Sequence, residues 1–236
     1  MNSISEGWLS TEELFHHRME AIHRHRVEAI NRGDSPFRLK PGGSLIVHLI
    51  PAESVPSRKR YTASNLKDHS NGLRPLGEQS GHFRFNTYGY SSYTGEREVT
   101  AYTQLYRDGH LEAVMTDTTY MQGRTKVLKD SLCERAIFEV VGEYLRFCKG
   151  IGIALPVWAF VALTDCVDMR VKTWTDLSDD VIHSPLVFLP EFEIDSFDIQ
   201  PVTYLRPLFD CLANAVGLEQ SLNYDKQGNW EQQGRR

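Results

Sequence analysis

Hydrophobic spacing divides the chain into helical, extended and irregular stretches. Over residues 10–33, Leu14, Phe15, Met19, Ile22 and Ile30 fall roughly along one stripe of a helix. Ser10 and Glu13 match a capping box at its start, and Gly33 suits the left-handed turn that closes a helix. The stripe is narrow and the other faces carry His, Arg and Glu, which predicts a helix lying on a surface. Residues 44–50 (SLIVHLI) have the unbroken apolar character of a buried strand, ended by Pro51. Residues 52–81 are poor in apolar positions and rich in turn formers, which predicts a long loop.

Residues 83–90, 99–106 and 110–115 alternate with the period of strands. Asp108-Gly109, between the last two, is a hairpin signal because both turn positions favour positive φ. The three predict an antiparallel meander. Residues 131–149 read as the strongest helix. Ser131 and Glu134 suggest a second capping box, Ile137, Val140, Val141, Tyr144, Leu145 and Cys148 recur at helical spacing, and Gly150 is placed to end it. Residues 157–163 and 186–194 predict buried strands. Residues 202–215 predict a final helix, started by Pro201 and stopped by Gly217. The pattern therefore predicts one mixed α+β domain over residues 1–236. An antiparallel meander and central buried strands pack with three main helices, between a surface helix at 10–33 and a polar tail at 221–236.

Composition narrows the classes. Lys plus Arg is 26 against 31 for Asp plus Glu, a net charge of −5, so no basic face is obliged. The four cysteines (Cys133, Cys148, Cys166, Cys211) form no Cys-x-x-Cys pair and read as reduced core residues of a cytoplasmic protein. The first ten residues lack the basic and apolar regions of a signal peptide. The most apolar stretch, residues 151–163, is too short to span a bilayer.

Candidate chemistry is sparse. His16, Glu20 and His23 share a helical face at a spacing that suits zinc, yet Arg18, Arg24 and Arg26 stand among them and oppose a dication. Arg58, Lys59, Arg60 and Tyr61, extended by Lys67, His69 and Arg74, could touch phosphates with Tyr61 stacking, or simply form a solvated loop. Residues 89–95 (GYSSYTG) faintly resemble a nucleophile elbow but lack the glycine two places after the serine, so a hairpin loop is expected. Lys149-Gly150-Ile151-Gly152 follows a helix instead of preceding one and reads as a connector, not a phosphate loop. Asp176, Asp179, Asp180, Glu191, Glu193, Asp195 and Asp198 form an acidic stretch that suits a cation, a basic partner or a solvated rim. No residue is assigned a catalytic, cofactor-binding or metal-binding role.

Three stretches together carry a family resemblance: residues 18–33 (RMEAIHRHRVEAINRG), residues 44–51 (SLIVHLIP), and residues 205–210 (LRPLFD) with 223–225 (NYD) and 228–230 (GNW). Including LRPLG at 73–77, the chain resembles, over nearly its whole length, the C-terminal region of bacterial proteins with the AlbA_2, or Schlafen-type, DNA-binding domain. In those proteins that domain precedes the first helix. Here nine residues precede Ser10, so none of its binding residues is carried over. The resemblance implies an accessory module with a separately encoded partner, or a truncated relative.

The leading expectation is thus a non-enzymatic accessory or interaction module of a DNA-associated bacterial system. A protein partner, or a second copy, would dock on the N-terminal helix at Phe15, Met19 and Ile22. Two alternatives stand beside it. One is a hydrolase or nuclease using a divalent cation at Asp176, Asp179 and Asp180. The other is a weak, sequence-independent nucleic-acid binder using Arg58, Lys59, Arg60, Tyr61, Lys67 and Arg74.

Overall fold

A computed structural model describes residues 11–56, 59–70, 73–174 and 176–231. The fold is mixed α+β, built on one large antiparallel sheet. In chain order, helix α1 (Thr11–Asn31) leads into strand β1 (Leu45–Pro51), a 3-10 turn (Ala52–Ser54) and helix α2 (Ala63–His69). The meander follows as β2 (His82–Asn86), β3 (Gly89–Thr94), β4 (Ala101–Tyr106) and β5 (Leu111–Met115). A hairpin of β6 (Thr119–Gln122) and β7 (Thr125–Leu128) precedes the long helix α3 (Asp130–Ile151). The chain ends with β8 (Val157–Thr164), β9 (Met169–Val171), β10 (Leu186–Phe188), β11 (Phe192–Ile194), α4 (Pro201–Tyr204) and α5 (Arg206–Asn214).

The large sheet runs β10-β8-β1-β5-β4-β3-β2, with β11 also paired to β8. A smaller sheet runs β6-β7-β9. Successive strand residues point to opposite faces, so β1 feeds two cores at once. Leu45, Val47 and Leu49 join the large core beneath α3, while Ile46 and Ile50 join smaller clusters beneath α1. A strand buried on both faces is why residues 45–50 read as nearly continuous apolar sequence. His48, fully buried among them, is the exception.

Several expectations need correction. The buried stripe of α1 is not the one its apolar residues suggest. Met19, His23, Val27 and Ile30 face the sheet, while Leu14 and Ile22 remain exposed. Two polar residues, His23 and Arg26, occupy the inner face and rotate it away from the purely apolar stripe. Met19 is 1% exposed, packed with Ile50 and Phe160, so it is not available to a docking partner as expected. Ser10 lies outside the described residues. Gly33 does take the left-handed conformation (φ 87°) beyond α1.

The stretch expected to be one long loop contains the 3-10 turn and α2, whose Leu66 is fully buried in the large core. The segment expected as one strand over 83–90 is a β2–β3 hairpin, turning at Thr87 and Tyr88. Residues 89–94, expected as a hairpin loop, are strand β3, with Ser91 and Ser92 buried. Gly89 is required there, because a Cβ would collide with the Leu105 carbonyl oxygen. The strand expected over 186–194 is two strands, β10 and β11, and the final helix is broken into α4 and α5.

Ser131 does not cap α3, whose N-cap is Lys129 with no side-chain bond. Glu134 instead turns inward, accepting from Ser221 Oγ at 2.6 Å and Trp230 Nε1 at 2.8 Å. Asn223 Nδ2 donates to Asp130 Oδ2 at 2.9 Å. The polar tail is therefore anchored to the first turns of α3. Gly152, not Gly150, forms the left-handed cap of α3 (φ 78°). The four cysteines are free thiols, three of them buried. Among the described residues, no helix is long and apolar enough to cross a membrane.

Candidate functional site

The chemistry of the molecule concentrates on the sheet face beneath α1. Strand register places polar residues side by side across five strands: His48 opposite Glu112, Glu112 opposite Gln104, Gln104 opposite Ser91, and Ser91 opposite Arg84. His48, Glu112, Gln104 and Ser91 have no exposed surface. A row of buried polar groups survives only if each finds a partner.

Glu112 is the hub. Arg26 donates from Nε to Oε2 at 2.8 Å and from Nη2 to Oε1 at 3.2 Å. The hydroxyls of Tyr102 and Tyr106 donate to Oε1 at 2.8 and 3.2 Å, and His48 Nε2 lies 3.1 Å from Oε2. Burial alone would raise this carboxyl, but the bonds from His48 and Arg26 hold it well below the usual carboxylate range. Burial drives His48 the other way from its partner's pull and lowers its pKa, so the imidazole is neutral. The charge that answers Glu112 is therefore Arg26, whose guanidinium stays ionised at any ordinary pH.

These assignments order the protons. A carboxylate only accepts, so His48 Nε2 carries the hydrogen and Nδ1 presents a lone pair. His23 Nδ1, 2.7 Å from His48 Nδ1, must then be the donor. Burial and the neighbouring His48 push His23 down to about 2, so it too is neutral. Its Nε2 is a buried acceptor with no hydrogen-bond partner. The row continues through Gln104, whose Oε1 accepts from Ser91 Oγ and Asn86 Nδ2, each at 2.6 Å. The Glu112 bonds tie α1 to β1, β4 and β5, and the Gln104 bonds tie β4 to β3 and β2, which together fix the register of the strands and the seat of α1.

No family model, curated protein or solved structure matches the chain.

Beside the centre lies an open pocket of about 370 Å³, bounded by α1, the segment after β1 and the β4–β5 turn. Arg18, Arg60, Asp108 and His110 line it, with Ile22, Ile50 and Val55 as apolar wall. A hairpin turn forms at Asp108-Gly109, but only Gly109 takes positive φ (96°), whereas both positions were expected to. The Tyr144 hydroxyl, from α3, pins this turn by donating to the Gly109 carbonyl at 2.5 Å. His110 stacks on Tyr106 with centroids 4.0 Å apart, and its Nδ1 lies 2.6 Å from Asp108 Oδ1. Nothing in the alternation marks His110 or Asp108 beyond the hairpin signal itself, so the pocket was not legible in sequence.

The basic run expected to contact phosphates is taken apart by the fold. Arg58 lies outside the described residues. Tyr61 is buried in the large core with Lys59 Nζ 4.7 Å above its ring, so it offers no free face for stacking. Arg74 is engaged by Glu143 Oε1 through Nε at 3.1 Å and Nη2 at 2.7 Å. Lys67 is on α2, which packs against α3, whereas Arg60 opens onto the α1 side.

The other candidate clusters separate likewise. His16 lies 3.4 Å from Glu191, Glu20 bonds Arg24 at 2.8 Å, and His23 turns inward, so the three do not converge. Asp179 and the neighbouring Ser178 present backbone carbonyls to Arg170. Among the described residues no group of three His, Cys, Asp or Glu side chains could hold a metal ion.

A second surface was missed altogether in the sequence reading. Phe83, Phe85 and Tyr88 are 55%, 54% and 55% exposed. Phe83 and Phe85 project from one face of β2 onto Tyr90, with centroids at 5.9 and 5.5 Å. Strand β2 ends the large sheet, and among the described residues no strand pairs with its outer edge.

Proposed function

We propose that the chain is a non-enzymatic interaction module of a DNA-associated bacterial system, and that it pairs with a second copy of itself through β2. The observation that carries this reading is the bare aromatic edge. Sheet edges are normally blunted by Lys, Glu, Pro, bulges or covering segments. The β2 sequence, HFRFN, contains no Lys, acidic residue or Pro, and the two phenylalanines are more than half exposed.

The edge is also self-complementary. A two-fold axis through Arg84 sets Phe83 opposite the second copy's Phe85, giving four phenylalanines on one face. Aromatic cross-strand pairs stabilise antiparallel strands by up to about 1 kcal/mol each. The two Arg84 residues would oppose one another, but each guanidinium is drawn back over Phe37 at 4.0 Å and donates to the Pro36 carbonyl at 2.7 Å. An isologous pair of this kind closes after two copies and leaves no further edge at β2.

Support for a binding over a catalytic role comes from the polar centre, where Glu112, His48 and Arg26 are spent on one another beneath α1. The association with DNA rests on the resemblance of residues 18–33, 44–51, 73–77, 205–210, 223–225 and 228–230 alone. Light scattering coupled to size exclusion, over a dilution series, tests the pairing. The wild-type chain should be a dimer, and Phe83→Asp with Phe85→Asp should be a monomer whose thermal unfolding is little changed. A wild-type chain that stays monomeric at every concentration, or a dimer that survives both substitutions, would sink the reading.

A further inference from the structure

We infer that the pocket beside α1 is a binding site for a small organic anion, one carrying a phosphate or carboxylate on an apolar body. Cationic side chains reach it from separate parts of the fold: Arg18 from α1 and Arg60 from the segment before α2. Arg18 is distinguished from its neighbours. On the same helix Arg24 faces Glu20 at 2.8 Å and Arg26 faces Glu112 at 2.8 Å, and just beyond its end Arg32 faces Glu28 at 3.7 Å. Arg18 makes no hydrogen bond or ion pair with any described residue. An arginine held over a cavity without a carboxylate is a donor fork without its acceptor.

The third polar group is aimed by its surroundings. Asp108 binds His110 at Nδ1 and Tyr106 stacks on the ring, so rotation is fixed. Nε2 then has no partner among the described residues. Asp108 is the one carboxylate in the lining, and it is already engaged by His110. Counting Arg18 and Arg60 against Asp108 gives a lining charge of +1, on a chain whose net charge is −5.

The rest of the wall sets the shape of the ligand. Ile22, Ile50 and Val55 give an apolar side, so a bare inorganic ion would leave that surface wet. A volume of about 370 Å³ is at the small end of ligand pockets, which span about 300–1,000 Å³, and admits no duplex or folded partner. The class that satisfies all of this is a small amphipathic anion. Phosphate monoesters and carboxylates share that chemistry, and the experiment separates them.

Isothermal titration at low salt with adenosine monophosphate, octanoate, inorganic phosphate, and uncharged adenosine as control tests the site. At least one organic anion should bind, more tightly than inorganic phosphate, and adenosine should not. Which one binds identifies the source. Arg18→Ala should weaken that binding ~10- to 100-fold, the range expected for one charge-assisted bond. Since Arg18 makes no hydrogen bond or ion pair with a described residue, its removal should leave thermal unfolding little changed. No binding of either organic anion by the wild-type chain would overturn the inference. So would binding that survives Arg18→Ala combined with Arg60→Ala, or equal binding of adenosine.

Discussion

Replacing His23 by phenylalanine should alter how stability depends on pH. The ring is 3% exposed, stacks on Phe160 at 5.3 Å and donates to His48, and burial holds its pKa at about 2. In the unfolded chain an imidazole titrates near about 6.5. Below that value the unfolded state binds a proton that the folded state refuses, so stability is lost as pH falls. Between pH 7 and pH 5 this one ring costs about 2 kcal/mol, and any folded value below about 4 gives the same figure. His48, lowered chiefly by burial, acts in the same direction.

Glu134 runs the other way. Burial raises it to about 7, against the pull of Ser221 and Trp230. The folded state therefore keeps a proton that the unfolded state has released, and stability is lost as pH climbs from about 4.5 to about 7. Over pH 5 to 7 that loss is again about 2 kcal/mol, so the two groups mask each other in the wild-type curve. The comparison must be between chains. Urea unfolding by circular dichroism, at pH 7 and pH 5, should show His23→Phe losing about 2 kcal/mol less than wild type on acidification. In thermal unfolding this corresponds to about 4–8 °C for a chain of this size. Leaving His48 Nδ1 without its donor costs about 1–3 kcal/mol at both pH values and drops out of the difference. Identical pH dependence in the two chains would refute the neutral buried ring.

Further outcomes follow from the same structure. Glu134→Gln keeps partners for Ser221 and Trp230 and removes the buried charge, so it should gain about 3 kcal/mol in urea unfolding at pH 8 and nothing near pH 4. Arg26→Met strands the Glu112 carboxylate and should cost about 3–5 kcal/mol by the same assay at neutral pH; a loss under about 1 kcal/mol would mean that Glu112 has taken up a proton. With Tyr61 buried and Arg74 paired, Arg60 is the member of the basic run that lines the pocket, and Lys59 lies over the Tyr61 ring. Two phosphate contacts give a log–log salt slope of about −1.8, or roughly 12-fold weaker binding between 50 and 200 mM salt. Fluorescence anisotropy with labelled duplex DNA should therefore find only weak binding, lost in Lys59→Ala with Arg60→Ala.

Periodicity served well wherever burial is apolar. β1, β8 and the inner face of α3 each place their predicted residues in a core, and the β4–β5 turn forms at Asp108-Gly109. It failed on α1, where the buried face includes His23 and Arg26. A one-dimensional stripe counts those positions as solvent-facing. Their partners, His48 and Glu112, lie 25 and 86 residues away and are themselves polar exceptions within apolar or alternating strands. A polar residue on an inner face is legible only when its partner is known, and that partner is set by strand register.

The same limit explains the basic run and the pocket. Adjacency in sequence grouped Arg60 with Tyr61, Lys67 and Arg74. The fold uses Tyr61 and Leu66 as core anchors, which draws α2 to the α3 side and leaves Arg60 lining the same pocket as Arg18. Arg18 was grouped with cations expected to repel a metal, and Ile22 with a docking stripe. Both groupings assumed a helix facing outward. Once His23 and Arg26 turn α1 onto Glu112, the neighbouring positions Arg18 and Ile22 must fall at the helix margin, over the β4–β5 turn. The buried polar centre thus sets the pocket's composition without lining it. If the centre were loosened, as in Arg26→Met, the pocket's arginines would lose their mutual placement, and anion binding should weaken along with stability.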